Sequence, residues 1–76
     1  MNKIRRKQIA EIIDKLADIR DEIDSVREDE EETSSNIPEN LQGSERYEAC
    51  ENAVDNLDNA VNGIDDIIDY LECAAE

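Results

Sequence analysis

The sequence predicts an all-α fold, an antiparallel helical hairpin of the coiled-coil type that dimerises into a four-helix bundle. Two long runs of apolar residues with heptad spacing predict the two helices, and a connector with proline and glycine separates them. The chain has 76 residues, no Phe and no Trp. A core made of aliphatic side chains in so short a chain is small, which favours self-association of this single domain, residues 1–76.

The first half predicts a helix over about residues 3–30. Its apolar residues alternate spacings of three and four, which is typical of a coiled-coil seam: Ile9, Ile12, Leu16, Ile19, Ile23 and Val26. Ile13 lies beside this seam. Residues 28–32 are all acidic and fall at the negative end of the helix dipole, so we expect the helix to fray there.

The second half predicts a helix over about residues 45–75. Its seam is Tyr47, Cys50, Val54, Leu57, Val61, Ile64, Ile68, Leu71 and Ala75. A second apolar line recurs every seven residues: Ala53, Ala60, Ile67 and Ala74. This helix is therefore apolar over a wider face than one partner helix covers. We expect the second line, together with Ile13, to form the oligomer interface; the alternative is a lone hairpin that exposes it.

The connector, about residues 31–44, combines a helix breaker with a helix start. Pro38 prevents helix continuation and suits the first position of a short helical turn. Ser44 after Gly43 is a good N-cap for the second helix. Ile37 and Leu41 are expected to plug the open end of the hairpin.

The charge is strongly negative and unevenly distributed. The net charge is −14, with a net +3 over residues 1–20 and a net −17 over residues 21–76. This argues against direct binding to nucleic acid or to a membrane surface and permits a basic protein partner. In antiparallel helices, the basic start of the first would lie beside the acidic end of the second.

Neither catalysis nor a cofactor is expected. The sequence has no His, and its seam positions carry no acid before Glu30. Asp65, Asp66 and Asp69 are best interpreted as a solvated acidic face, and the calcium-loop spacing that starts at Asp58 has Ala60 at a ligand position. Cys50 and Cys73 have no metal-site spacing, and no apolar run suggests a signal peptide or a membrane span, so we expect a cytoplasmic protein without a metal.

The connector is the candidate ligand site. Its amides, hydroxyl, guanidinium and phenol could hold a phosphate-bearing small molecule, with Arg5 and Arg6 contributed by a partner hairpin. The candidate residues are Asn36, Asn40, Gln42, Gly43, Ser44, Arg46 and Tyr47. Two alternatives remain, a merely capped turn and a protein contact.

The run from Asn36 to Glu48, NIPENLQGSERYE, resembles a stretch of short helical proteins carried by phages and prophages of Firmicutes. Residues 4–7 and 53–57 are similar to that group as well. The resemblance implies a phage setting, in which small helical oligomers often disarm host immunity.

Within that setting we expect a counter-defence protein that binds stoichiometrically in the cytoplasm of an infected bacterial host. Sequestration of a nucleotide-type immune signal is slightly favoured. One alternative is an acidic inhibitor that imitates nucleic acid and blocks a basic immune effector, such as a CRISPR nuclease. The other alternative is a structural or assembly coiled coil of the phage.

Overall fold

The computed structural model describes residues 1–41 and 43–76, which form an extended helical hairpin. Helix α1 spans Lys3–Ser35, a 3-10 turn spans Glu39–Leu41, and helix α2 spans Glu45–Ala74. The hairpin measures 59 × 15 × 12 Å, so it is a rod two helices wide. The expected all-α antiparallel hairpin is therefore confirmed.

Both helices begin with a side-chain cap. The Asn2 side-chain oxygen accepts a hydrogen bond from the Arg5 backbone N–H at 2.8 Å. The Ser44 hydroxyl oxygen accepts one from the Tyr47 N–H at 3.3 Å, which confirms Ser44 as the N-cap of α2. Each cap satisfies an N–H group that has no partner within its own helix.

The expected end of the first helix near residue 30 was wrong, because α1 continues through the acidic run to Ser35. The Arg27 guanidinium contacts the Glu31 carboxylate at 3.0 Å and offsets part of the local negative charge. Ser34, in the added turn, is buried, and the Asn36 N–H donates to the Glu32 carbonyl. Packing and pairing thus outweigh the unfavourable dipole, and the connector shortens to residues 36–44.

The connector turns tightly around Pro38. The Ile37 N–H donates to the Ser34 carbonyl, and the Leu41 N–H donates to the Pro38 carbonyl at 2.8 Å. Ile37 is 8% exposed and closes the end of the hairpin as expected. Leu41 is 50% exposed, so its expected role as a second plug was wrong. The turn folds Ile37 inward and leaves Leu41 on the rim of a surface cavity.

The side of α1 that meets α2 differs from the expected one. Ile9, Leu16 and Ile23 are half-buried and belong to the seam, but Ile12, Ile19 and Val26 are exposed. Their expected places are taken by residues one position further along the helix: Ile13, Arg20 and Arg27. Ile13, which we expected at the oligomer interface, is half-buried in the hairpin itself.

The seam of α2 is the expected one. Cys50 and Ile68 are buried, at 7% and 8% exposure, and the other members of the heptad are half-buried. The second line of α2 lies outside the seam: Ala53 is half-buried, whereas Ala60, Ile67 and Ala74 are exposed. The hairpin accordingly buries one apolar line of α2 and exposes most of the other.

Two opposite faces of the rod follow from this register. In an antiparallel helix pair, residues that flank the seam on the same side of each helix lie next to each other. We call one side the apolar face: Ile12, Ile19, Val26, Ala53, Ala60, Ile67 and Ala74. We call the other side the acidic face: Asp24, Glu31, Glu51, Asp58, Asp65 and Glu72. Charge and hydrophobicity are therefore separated across the rod.

The buried seam predicts where truncation is costly. Replacing Ile68 with Ala should lower the free energy of unfolding by about 2–4 kcal/mol, because it leaves a cavity between the helices. The matched control is Ile4→Ala, at a side chain that is 72% exposed, which should change stability by less than about 0.5 kcal/mol. Urea denaturation followed by circular dichroism measures both. Equal effects would contradict the described seam.

Candidate functional site

Two cavities flank the connector end of the hairpin on opposite sides. The larger, about 380 Å³, lies on the acidic side and is lined by Glu31, Ser34, Ser35, Tyr47, Glu51, Val54 and Asp55. The smaller, about 260 Å³, lies on the apolar side and is lined by Thr33, Asn36, Ile37, Pro38, Leu41, Ser44 and Arg46. The buried Ser34 and Ile37 separate them.

The smaller cavity gathers three of the residues expected to bind a ligand, Asn36, Ser44 and Arg46. Arg46 is exposed and is the only charged group in the lining. The Ser44 backbone N–H donates to the Leu41 carbonyl at 3.0 Å and is therefore engaged within the turn. The cavity therefore offers one cation and three polar side chains, those of Thr33, Asn36 and Ser44, beside an apolar wall.

The other expected ligand residues are not brought together. Tyr47 lines the opposite, acidic cavity, and Asn40 and Gly43 are exposed and line neither cavity. Arg5 and Arg6 are exposed near the start of α1, about 45 Å from the connector at the 1.5 Å rise of an α-helix. Gln42 lies outside the residues that the structure describes.

The acidic cavity was not anticipated, because α1 was expected to end before it. Tyr47 stands beside the Glu51 carboxylate, which raises the pKa of the phenol together with partial burial. With Glu31 and Asp55 at the rim, this cavity repels phosphate and suits a cation or a basic side chain. Continuing the helical pattern of the sequence past residue 30 could have revealed this acidic cavity.

Two arginines of the seam are paired within the hairpin. The Arg20 Nη1 atom contacts an Asp65 carboxylate oxygen at 2.8 Å and so ties α1 to α2. The Arg27 Nε atom contacts an Asp24 oxygen at 2.9 Å. The hydrogen bonds that the two guanidinium groups donate to these carboxylates raise the pKa of both arginines. Both arginines lean toward the acidic face, where each neutralises acids locally.

The expected pairing between the basic start of α1 and the acidic end of α2 is not seen. Among residues 1–41 and 43–76, the ion pairs within 4.0 Å involve Arg20 and Arg27 alone. The basic side chains near the start of α1, such as Arg6 and Lys7, are exposed. The two ends are neighbours in the hairpin, but their charges act only at longer range.

The described residues also bear on membranes and metals. Neither helix in the described part of the chain is long and apolar enough to cross a membrane. Within the same residues, no three His, Cys, Asp or Glu side chains converge closely enough to hold a metal ion.

The two cysteines should differ in reactivity. Cys50 is buried in the seam, and the neighbouring Glu30 carboxylate raises the pKa of its thiol, with burial acting in the same direction. Cys73 is exposed. Because the thiolate is the reactive form, Cys50 should react with iodoacetamide at pH 8 roughly tenfold more slowly than Cys73, or slower still.

Mass spectrometry after timed quenching measures the two rates separately. In guanidinium chloride the rates should converge, because the environment of Cys50 is lost. Equal rates in the folded protein would show that Cys50 is not enclosed between the helices.

No protein-family model matches the chain, and no curated protein and no solved structure shows significant similarity to it. The function must therefore be inferred from the hairpin itself: one acidic face, one apolar face, and a connector with a small cavity on each side.

Proposed function

We propose that this chain is a non-enzymatic binding protein that acts by stoichiometric association and presents its acidic face to a basic protein partner. The phage-type counter-defence setting, in the cytoplasm of an infected bacterial host, rests on the resemblance of the connector run. In that setting the partner is a basic immune effector that normally binds nucleic acid. The single observation that supports this proposal best is the separation of charge across the rod.

The acidic surface is dense and little compensated. Arg20 and Arg27 are engaged by acids of the hairpin itself, while residues 21–76 carry a net charge of −17. On α2 the acids recur every three or four residues, which is about 5 Å along the helix, as in Glu48, Glu51, Asp55 and Asp58. A rigid row of negative charges at this spacing attracts surfaces evolved to hold phosphates.

We also propose that the protein is a homodimer, a four-helix bundle made of two hairpins. The support is the apolar face, where Ile12, Ile19 and Ile67 are 44–48% exposed. A soluble monomer rarely leaves a continuous apolar stripe of this length in water. The acidic face lies on the opposite side of each hairpin, so dimerisation through the apolar face leaves it free.

Sequestration of a nucleotide-type immune signal is the second candidate function. It is favoured by the smaller cavity, where Arg46 could clamp a phosphate beside Asn36 and Ser44. Three features weigh against it. The cavity, about 260 Å³, is below the usual range for ligand sites, its described lining holds a single cation, and the net charge repels anions.

The acidic face can be tested by charge neutralisation. The triple variant Glu51→Gln, Asp58→Asn, Glu72→Gln should lose most of the partner protein captured from host lysate, because it removes three exposed acids of the acidic face, all on α2. The control variant Glu11→Gln, Asp14→Asn, Asp18→Asn removes the same charge from exposed positions of α1 and should retain it. Quantitative mass spectrometry of the bound fraction gives the ratio.

Capture should also fall steeply between 50 mM and 500 mM salt, since screening weakens interactions between exposed charges. Equal loss in both triple variants, or capture that is independent of salt, would contradict a specific acidic interface.

The nucleotide alternative predicts heat in calorimetric titration with cyclic dinucleotides or ADP-ribose derivatives. The variant Arg46→Gln should then weaken binding by roughly tenfold or more, because it removes the only cation of the cavity. Lys15→Gln, at an exposed position near the middle of the rod, is the control. The absence of heat with any of these compounds would eliminate the second candidate.

A further inference from the structure

We propose that the apolar face is covered by a second copy of this chain in one particular arrangement. The two hairpins run antiparallel, with their connectors at opposite ends, and the two-fold axis passes at the level of Ile19 and Gly63. This inference rests on the proposed self-association and specifies its geometry.

The first support is the distribution of charge on α2. Beyond its second apolar line, α2 has a further set of residues that alternates with it to give a continuous heptad seam: Ala49, Asn56, Gly63 and Tyr70. The two sets together run from Ala49 to Ala74 without a charged residue, and the acids of α2 fall at the other helical positions. A side of a highly acidic helix that has no charged residues indicates a surface that a partner covers.

Gly63 is the second support. It is half-buried, and a Cβ added there would meet nothing within 4 Å. The hairpin alone therefore gives no reason for a glycine that costs about 1 kcal/mol relative to alanine within a helix. A second helix that approaches α2 closely at this point supplies the reason, because glycine permits the shortest distance between two backbones.

The size of the face fits a stable dimer. With extents of 59 × 15 Å, one long side of the rod has an area of roughly 900 Å², close to the ~800 Å² that each partner of a standard interface buries. Exposed apolar residues run along much of this length, from Ala74 near the free ends of the helices to Ala49 near the connector. A second copy of the chain is also a partner that is always available to cover this face, because it is present wherever the chain is made.

The level of the axis follows from the ion pair across the hairpin. Because Arg20 bonds Asp65, Ile19 and Gly63 lie at nearly the same height along the rod. Ile19 is the middle member of the exposed line of α1, and Gly63 lies near the middle of the uncharged seam of α2. An axis at this height places Ile12 against the partner's Val26 and Gly63 against the partner's Gly63.

The charges of α1 favour one of the two possible directions. In the antiparallel arrangement Lys15 lies opposite the partner's Glu22, and the basic residues Arg6 and Lys7 lie opposite the acidic run of the partner, residues 28–32. With both connectors at the same end, that acidic run would instead face the acidic start of the partner's α2, while Arg6 and Lys7 would face its acidic end. The antiparallel arrangement sets α2 against the partner's α2 through the uncharged seam, and it alone places the basic start of α1 opposite residues 28–32.

Disulfide cross-linking tests the arrangement. In a Cys73→Ser background, Gly63→Cys and Ile19→Cys each place a thiol beside the same residue of the partner, and mild oxidation should link most of the protein as covalent dimers. The matched control is Asn59→Cys, an exposed position of α2 outside the proposed interface, which should stay mostly unlinked. Cys50 is present in all three variants, so the control also accounts for it.

Sedimentation equilibrium of the unmodified chain separates the two levels of the proposal. A mass of two chains together with linkage at residue 63 or 19, but not at 59, supports the arrangement. A mass of two chains without linkage at either position overturns the arrangement and leaves self-association standing. A mass of one chain overturns both self-association and the arrangement. The same holds if the mass increases only after host proteins are added, because a different protein then covers the apolar face.

Discussion

Two arginines lie in the seam where the helices of this protein meet, and one of them, Arg20, ties α1 to α2. Arg20 and Arg27 occupy positions that a coiled coil normally fills with apolar residues, and their guanidinium groups reach sideways to acids of the hairpin. The side chains extend far enough to pack their methylene groups between the helices while the charged ends stay near water. This arrangement turns Ile13 toward α2 and leaves Ile12, Ile19 and Val26 on the surface.

Both faces of the rod follow from the way in which α1 is rotated about its axis. The arginines lean to the side where the α2 acids lie, so the acidic face is held by the same contacts that set the register. The apolar side chains that the arginines displace align with the uncharged side of α2. The packing of α1 against α2 thus creates one surface that suits a charged partner and another that suits a copy of the same chain.

The sequence was sufficient to predict the helices, the antiparallel hairpin, the cap at Ser44 and the seam of α2. It was misleading for α1, because Ile9, Leu16 and Ile23 belong equally well to two seams. Periodicity alone favoured the seam with Ile12 and Ile19, and only the cross-hairpin contact of Arg20 with Asp65 decides for the other. The end of α1 was missed for a similar reason, since dipole arguments do not include the packing of Ser34 and Ile37. Of the expected ligand residues that the structure describes, Asn36, Ser44 and Arg46 share a cavity and the others do not, because that grouping depends on the turn at Pro38.

The rotation of α1 can be measured directly by methyl NOEs on an equal mixture of isotope-labelled and unlabelled chains, which separates contacts within one chain from contacts between chains. Ile13 methyl groups should contact the α2 seam of their own chain, while Ile12 methyl groups should give their strongest contacts to the partner's Val26. Strong contacts from Ile12 and Ile19 to the α2 seam within one chain, with Ile13 facing solvent, would contradict this rotation.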